Sequence, residues 1–498
     1  MSHPSIAEDL ARTAAGDPDR VALVVADRPV SFAELDGLTG RLAAGLRERG
    51  VQRGDRVALM VPNGLDAVVA IEAILRAGAA IMPINPTAKH DRVADLLRRS
   101  GAAMLLCDPD RAAEAAQATE GLSDVQLHSD LEQLSTDGPV PSDAPAESDL
   151  AALMHTSGST GGPKGVMHSH GGLGFVTDSI IEYLDVSAED RILNLLPLSF
   201  GYGLTHLLIC IRSGATLVLE PGVGLPGRIV KLLEDERVTG LPGVPTIFQV
   251  LLSLRGLAER PLPELRFLTN AGAALPTPAL EAVRRTFGEA TLYSMYGQTE
   301  CIRTCYLPPD QLDVRPGSVG VPIPGTETWL DDDEGNVLDA GESGELIVRG
   351  PHVMQGYWND PGATAARIRE GRDPGERVLA TNDLFRTDEE GYLYFVGRRD
   401  DIIKSRGEKV PPREVEEVIH LDSAVKEVAV VGVPDRLLGE AVHAHVSARE
   451  GEDLDAMALK RLCAEHLEDY MVPQRVVIHA ELPRNNNGKV DRLLLSQG

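Results

Sequence analysis

Residues 156–165 read TSGSTGGPKG. This stretch holds four glycines (Gly158, Gly161, Gly162, Gly165), the hydroxyls of Thr156, Ser157, Ser159 and Thr160, and one ammonium, Lys164. Small residues let backbone N–H groups come close to an anion, hydroxyls donate to its oxygens, and the lysine neutralises part of its charge. That is the chemistry of holding a polyphosphate. It is not a Walker A loop, because Pro163 precedes the lysine and Gly165 follows it, where that pattern places Ser or Thr for magnesium. Taken by itself, the stretch also reads as a hairpin tip: ALMHT (151–155) before it and VMHSH (166–170) after it are strand-like. A phosphotransferase using this loop alone would form ADP.

Three further stretches could do chemistry. YGQTE (296–300) ends on Glu300, a hard oxygen ligand suited to Mg2+; alone it also reads as a strand end with a capping glutamate. ATNDLFRTDEEGYLYFVGRRDD (380–401) carries Asp383 and Arg398, and an isolated Asp in such a setting is ordinary turn chemistry. PRNNNGKVDR (483–492) carries Lys489, by itself a surface charge.

In this order and spacing, along nearly the whole chain, the motifs resemble the adenylate-forming superfamily. Its members include acyl- and aryl-CoA synthetases, peptide-synthetase adenylation domains and luciferases. The pattern is most like a stand-alone AMP-forming acyl-CoA ligase. The resemblance implies that Thr156, Ser157, Gly158, Ser159, Thr160, Gly161 and Lys164 hold the phosphates of ATP. Thr299 would contact phosphate, and Glu300 would help hold Mg2+. Gly272 and Ala273 of NAGAA, with Tyr296 and Gly297, would frame the nucleotide. Asp383 matches the aspartate that accepts both ribose hydroxyls, and Arg398 an arginine near ribose and phosphate. The family's T-G-D carries Asn382 in place of glycine here. Asp400 matches a hinge, Gly407 a loop lining the pantetheine channel, and Lys489 the catalytic lysine.

The acid would lie near LPLSFGYG, with Phe200, Gly201, Tyr202, Thr205, Val244, Met295 and Arg303 around it. Relatives that activate amino acids commonly place an aspartate where Gly201 stands. Without it, a buried ammonium would lack its counter-charge, so a carboxylic acid without an α-amino group is expected. Arg303 could pair with a second carboxylate or a polar ring substituent on the acid; an outward salt bridge or a packing role is the alternative.

The implied reaction joins the acid to AMP with loss of pyrophosphate, then passes the acyl group to the thiol of CoA. ATP, Mg2+ and CoA are the expected cofactors, with a carrier-protein phosphopantetheine as competing acceptor. Adenylation of an unusual acid such as nitrite, transfer to an amine, and a non-catalytic binding relative are the other readings; Lys489 and Glu300, both present, speak against the last.

These residues need a scaffold. At 498 residues, roughly three domain-sized units are expected. Hydrophobic (43%) and charged (25%) contents are those of a soluble globular chain. No run approaches the ~18 apolar residues of a membrane span, and the polar, acidic start does not read as a secretory signal. The net charge of −27 disfavours nucleic acid. Five scattered cysteines without a C-x-x-C pair suggest neither disulfides nor a zinc site, and fit a reducing cytoplasm.

Strand-like VALVV (21–25), RVALMV (56–61), AAIMPI (79–84) and AAMLLC (102–107) alternate with helical spacing, as at Leu35, Leu38, Leu42 and Leu46 behind a capping box of Ser31 and Glu34. An amphipathic helix is expected between Gly64 and Gly78. Residues 134–149, rich in Pro, Ser and Asp, read as a mobile linker. RILNLLPL (191–198), ATLVLE (215–220), LRFLTNAG (265–272) and ATLYSMYG (290–297) continue the strands, with helices near 226–236, 246–254 and 277–287. The expected class is α/β: a large N-terminal core, 1–399, of two helix-covered, mainly parallel sheets with a small β-rich subdomain near 318–396, and a mobile α+β domain, 400–498.

Overall fold

The computed structural model describes residues 5–156, 163–222, 224, 226–275, 277–406, 408–484 and 490–497. Contacts divide the chain into two compact units: Met1–Thr328 with Val348–Leu379, and Trp329–Ile347 with Ala380–Gly498.

The first unit contains two mainly parallel sheets. One runs in the order Gly356–Tyr357, Lys164–Ser169, Leu150–Thr156, Ala80–Pro83, Arg56–Met60, Met104–Cys107, Gln126–His128. It is parallel from Leu150–Thr156 onward and antiparallel at its first two pairings. The other runs Ser318–Pro322, Cys305–Leu307, Thr291–Tyr296, Phe267–Asn270, Gly240–Gly243, Arg191–Asn194, Thr216–Leu219, Val21–Val25, Arg28–Ser31. Its central pairings are parallel. Both sheets are thus α/β sheets whose strand ends carry the candidate motifs, as expected.

One apolar core draws on strands of both sheets and on helices Phe32–Glu48, Leu65–Arg76, His170–Leu184 and Gly201–Ser213. Leu35, Leu42 and Leu46 are each 0% exposed, and each burial contributes about 1.5–3 kcal/mol. Ser31 Oγ accepts the Glu34 N–H at 3.2 Å and so caps the first helix. The carboxylate of Glu34 turns to the Arg28 guanidinium, so only half of the expected capping box forms. Gly50, with φ +89°, ends the run as read.

The expected amphipathic helix before Gly78, Leu65–Arg76, is buried on every side from Ala67 to Leu75. It lies within the core, where no face meets water. Glu72 goes down with it, and burial pushes its carboxyl up to about 8, so it sits there protonated. Helix His170–Leu184 has no clear helical signature, because Gly171, Gly172 and Gly174 crowd its first turns. Strand Gly240–Gly243, GLPG, is equally disguised by turn-type residues. Strand Arg191–Asn194 is shorter than read, because Asn194 accepts the Leu196 N–H at 3.1 Å and turns the chain. Residues 136–149 form neither helix nor strand, yet Arg47 pairs with Asp143 at 2.9 Å and Glu147 O accepts the Gly171 N–H at 2.8 Å.

In the second unit, Asp383–Thr387 and Leu393–Arg398 pair antiparallel. A five-stranded sheet runs Glu408–Val410, Ile403–Ser405, Gly439–Ala448, Val425–Asp435, with Arg475–His479 beside Gly439–Ala448. Helices Pro412–Ile419 and Ala456–His466 share its core through Val415, Ile419, Leu459 and Cys463. Among the described residues no helix is long and apolar enough to cross a membrane. All five cysteines are buried and unbridged.

Candidate active site

In the first unit, strands Leu150–Thr156 and Lys164–Ser169 form an antiparallel pair that sets Thr156 opposite Lys164. The segment joining them carries Ser157, Gly158, Ser159, Thr160 and Gly161, which lie outside the described residues, as do Gly407 and Lys489. The short strand Gly356–Tyr357 pairs with Met167 and Val166, and the Trp358 N–H donates to Gly165 O at 2.7 Å. This brings the Tyr357 ring beside the hairpin, with Lys164 Nζ 5.2 Å from its centroid.

Tyr357 O–H donates to Glu300 Oε1 at 2.7 Å. Glu300 is 9% exposed, and among the described residues no arginine, lysine or histidine pairs with it. A shielded carboxylate with one hydroxyl donor and no organic cation suits a hard divalent ion. The described residues hold no group of three or more His, Cys, Asp or Glu placed to cage a metal. Mg2+ needs no such cage: it is typically held by one or two carboxylates, substrate phosphates and water. Glu300 therefore fits the role expected of it.

The Thr299–Glu300 backbone is anchored from both sides. Thr299 O accepts His168 Nε2 at 2.8 Å, and Glu300 O accepts the Met354 N–H at 2.9 Å. Burial pushes the His168 imidazole down to about 4, so at neutral pH it is uncharged and donates through Nε2. Gln298 Nε2 donates to the Tyr296 hydroxyl at 3.1 Å and its Oε1 accepts Arg367 at 2.8 Å. His168, Tyr357 and Arg367 are invisible to local spacing: they lie far along the chain from the 296–300 motif and reach it only through the fold.

Gly297 is required by close approach. A Cβ there would lie 2.3 Å from Ile302 O and 2.9 Å from Arg303 Cα. The Thr304 N–H closes the loop onto Tyr296 O at 2.9 Å. Gly297→Ala is expected to push Glu300 out of place and lower kcat/KM for the acid by about 100-fold while the chain stays folded. Kinetics beside a circular-dichroism melt check this; unchanged kinetics would show that the loop tolerates the shift.

Tyr202 opens helix Gly201–Ser213, and its hydroxyl meets Thr269 Oγ1 at 2.7 Å. Thr205 donates to Gly201 O at 2.6 Å. Phe200 precedes the helix as its cap residue. The Arg303 guanidinium lies 5.0 Å above the Tyr202 ring and is 3% exposed, so it points inward. Met295 is 6% exposed, and its sulfur accepts the Tyr183 hydroxyl at 3.0 Å. Val244 caps helix Pro245–Leu252 and stands close to Gly272, whose φ is +82°. Asn270 Nδ2 donates to Ala273 O at 2.9 Å, fixing the turn that carries both Gly272 and Ala273.

In the second unit, Asp383 and Arg398 are cross-strand partners, with Arg398 Nε 3.5 Å from Asp383 Oδ1. Asp383 is 4% exposed. Asn382 takes the left-handed backbone, φ +59°, that a glycine would take, which Asn tolerates better than most residues. Its side chain donates to Asp400 Oδ2 at 2.7 Å, and its backbone N–H to Glu345 Oε1 at 2.8 Å.

The family model for AMP-binding enzymes matches residues 10–358, and that for the AMP-binding enzyme C-terminal domain matches residues 414–489. The chain is similar to an indoleacetate–CoA ligase of Aromatoleum aromaticum, 32% identical over 97% of this chain and 96% of that protein. Among solved structures it is similar to ATP-bound MatB from Rhodopseudomonas palustris, with a TM-score of 0.91 and 29% identity over 100% of this chain and 99% of that one. It is likewise similar to o-succinylbenzoate CoA synthetase (MenE) from Bacillus subtilis with its acyl-adenylate intermediate, with a TM-score of 0.88 and 30% identity over 99% and 98% of the two chains.

Proposed function

This chain belongs to the AMP-binding enzyme family, and we propose that its substrate is a carboxylic acid without an α-amino group. It is an AMP-forming acid–thiol ligase that uses ATP, Mg2+ and CoA. The carboxylate oxygen attacks the α-phosphorus of ATP, the bond to pyrophosphate breaks, and an acyl-adenylate forms. The CoA sulfur, having lost its proton, then attacks the acyl carbon, and AMP leaves with the oxygen that joined the two.

In this reading, the loop from Thr156 to Lys164 binds and orients the phosphates, so that attack occurs within one complex. Glu300, held by Tyr357, keeps a negative charge where a cation can meet the triphosphate. When bound, Mg2+ supplies charge that offsets repulsion among the phosphates. Lys489 would stabilise charge growing at phosphorus. Asp383 would accept the ribose hydroxyls. Asp400, tied to Asn382, is the proposed pivot for the change between half-reactions, with residues 400–498 as the moving body. A carrier-protein phosphopantetheine is the competing acceptor.

The observation that carries the substrate reading is the charge beside Tyr202. The buried Arg303 there is a cation, and Gly201 carries no carboxylate. An α-ammonium would meet a like charge and no counter-ion, a cost of several kcal/mol. Acid-dependent pyrophosphate release is expected from acids, with their α-amino counterparts at least about 100-fold poorer in kcat/KM. Robust activation of an amino acid over its deamino analogue would sink the reading.

A further inference from the structure

Arg303 has no acceptor among the described residues. Among the described residues its guanidinium makes neither an ion pair nor a side-chain hydrogen bond, and its Nε is fully shielded without a partner. Its surroundings are neutral. Tyr183, Tyr202, His206 and Cys305, none of them a carboxylate, lie within its field. Burial, and behind it the Arg303 charge, push the His206 imidazole down to about 3, so it is neutral too. His206 packs against the same Tyr202 ring at 4.9 Å.

The backbone leading to Arg303 is strained. Ile302, a β-branched residue, is held at φ +60°, where such side chains are rare. That conformation turns the chain after Glu300, and the Arg303 guanidinium lies inward over the Tyr202 ring. Strain of this kind persists only where surrounding contacts enforce it, and it clusters at ligand sites. An interior cation without a counter-ion is unfavourable, and a ligand anion would relieve it.

We propose that Arg303 is the recognition residue for a second carboxylate on the acid substrate, making that substrate a dicarboxylic acid. The inference rests on the carboxylic-acid reading above and names its class. A planar guanidinium offers a carboxylate two parallel hydrogen bonds along its edge, while its face lies over the Tyr202 ring at 5.0 Å. Arg303 follows Glu300 by three positions, with Cys301 and Ile302 between them, a stretch of at most about 11 Å when extended. The second carboxylate is therefore only a few carbon atoms from the first, along a chain or across a ring.

The test uses the full chain with ATP and Mg2+. Straight-chain diacids of three to eight carbons and benzene-based diacids are each compared with their own monomethyl esters. Wild type is expected to favour at least one diacid over its monoester by about 100-fold in kcat/KM for pyrophosphate release. Arg303→Gln should collapse that ratio to within about fivefold, and Arg303→Lys should leave an intermediate value, since it keeps the charge but not the fork. Alongside, Arg303→Met should melt about 2 °C or more above wild type without ligand, because it removes an unpaired buried charge.

A wild-type preference for the monoester, or an unchanged ratio in Arg303→Gln, overturns the inference while leaving acid adenylation standing. A lower melting temperature in Arg303→Met also overturns it, marking Arg303 as a packing residue. ADP in place of AMP and pyrophosphate across the panel would overturn the ligase reading and the inference together.

Discussion

Glu300→Gln is expected to slow acid-dependent pyrophosphate release by about 100- to 1,000-fold at fixed Mg2+. The substitution is isosteric, and its amide oxygen can still accept the Tyr357 hydroxyl that now sits 2.7 Å from Glu300 Oε1. Only the charge is removed. Much of the deficit should return as Mg2+ is raised, because the missing interaction is with the cation. Tyr357→Phe makes the complementary change: the charge stays and the donor goes. A hydrogen bond to a charged group contributes about 1.5–3 kcal/mol, so the half-saturating Mg2+ concentration should rise about 10-fold or more. Burial and the Glu300 charge hold the Tyr357 phenol well above its ordinary range, so it remains a donor throughout the working pH. A Mg2+ titration of the three proteins decides the matter. An unchanged Mg2+ dependence in Glu300→Gln would remove Glu300 from the metal site.

Lys489→Ala separates the two halves of the reaction. Pyrophosphate release should fall by about 100- to 1,000-fold, because a cation aimed at the charge growing on phosphorus is lost. Thioester formation from supplied acyl-adenylate and CoA should fall by less than about tenfold, since phosphorus keeps all of its oxygens through that step and only the acyl carbon–oxygen bond breaks. Rapid-quench assays of each half, with one preparation of variant and wild type, make the comparison. Equal losses in both halves would show that Lys489 acts on the fold or on nucleotide binding generally.

The chemistry was legible along the chain because it depends on residue types held at short spacing. The 156–165 stretch, the acid of YGQTE and the glycine at 297 are each read from residue types a few positions apart. Their motifs therefore survive in linear form. The strand–helix alternation was legible for the same reason: periodic burial writes itself into sequence, and Val21–Val25 and the helix capped by Ser31 sit where that pattern put them.

Tertiary structure decided what the motifs touch. Strand pairing places Tyr357 57 residues beyond Glu300 and yet within a hydrogen bond of it. It also brings His168 to the Thr299 carbonyl across 131 residues. Asn382 departs from the glycine of its motif, but only the folded backbone reveals that it adopts the glycine-like φ and donates to Asp400. Helix Leu65–Arg76 read as one-sided, and became buried all round because packing on both faces is a property of the core, not of the segment. Arg303 marks the boundary most clearly. Its charge is set by residue type, whereas its burial and its want of an acceptor among the described residues arise from neighbours drawn from distant strands and helices. Local residue types determined which reaction this chain runs; long-range packing decided that the Arg303 guanidinium is buried over the Tyr202 ring.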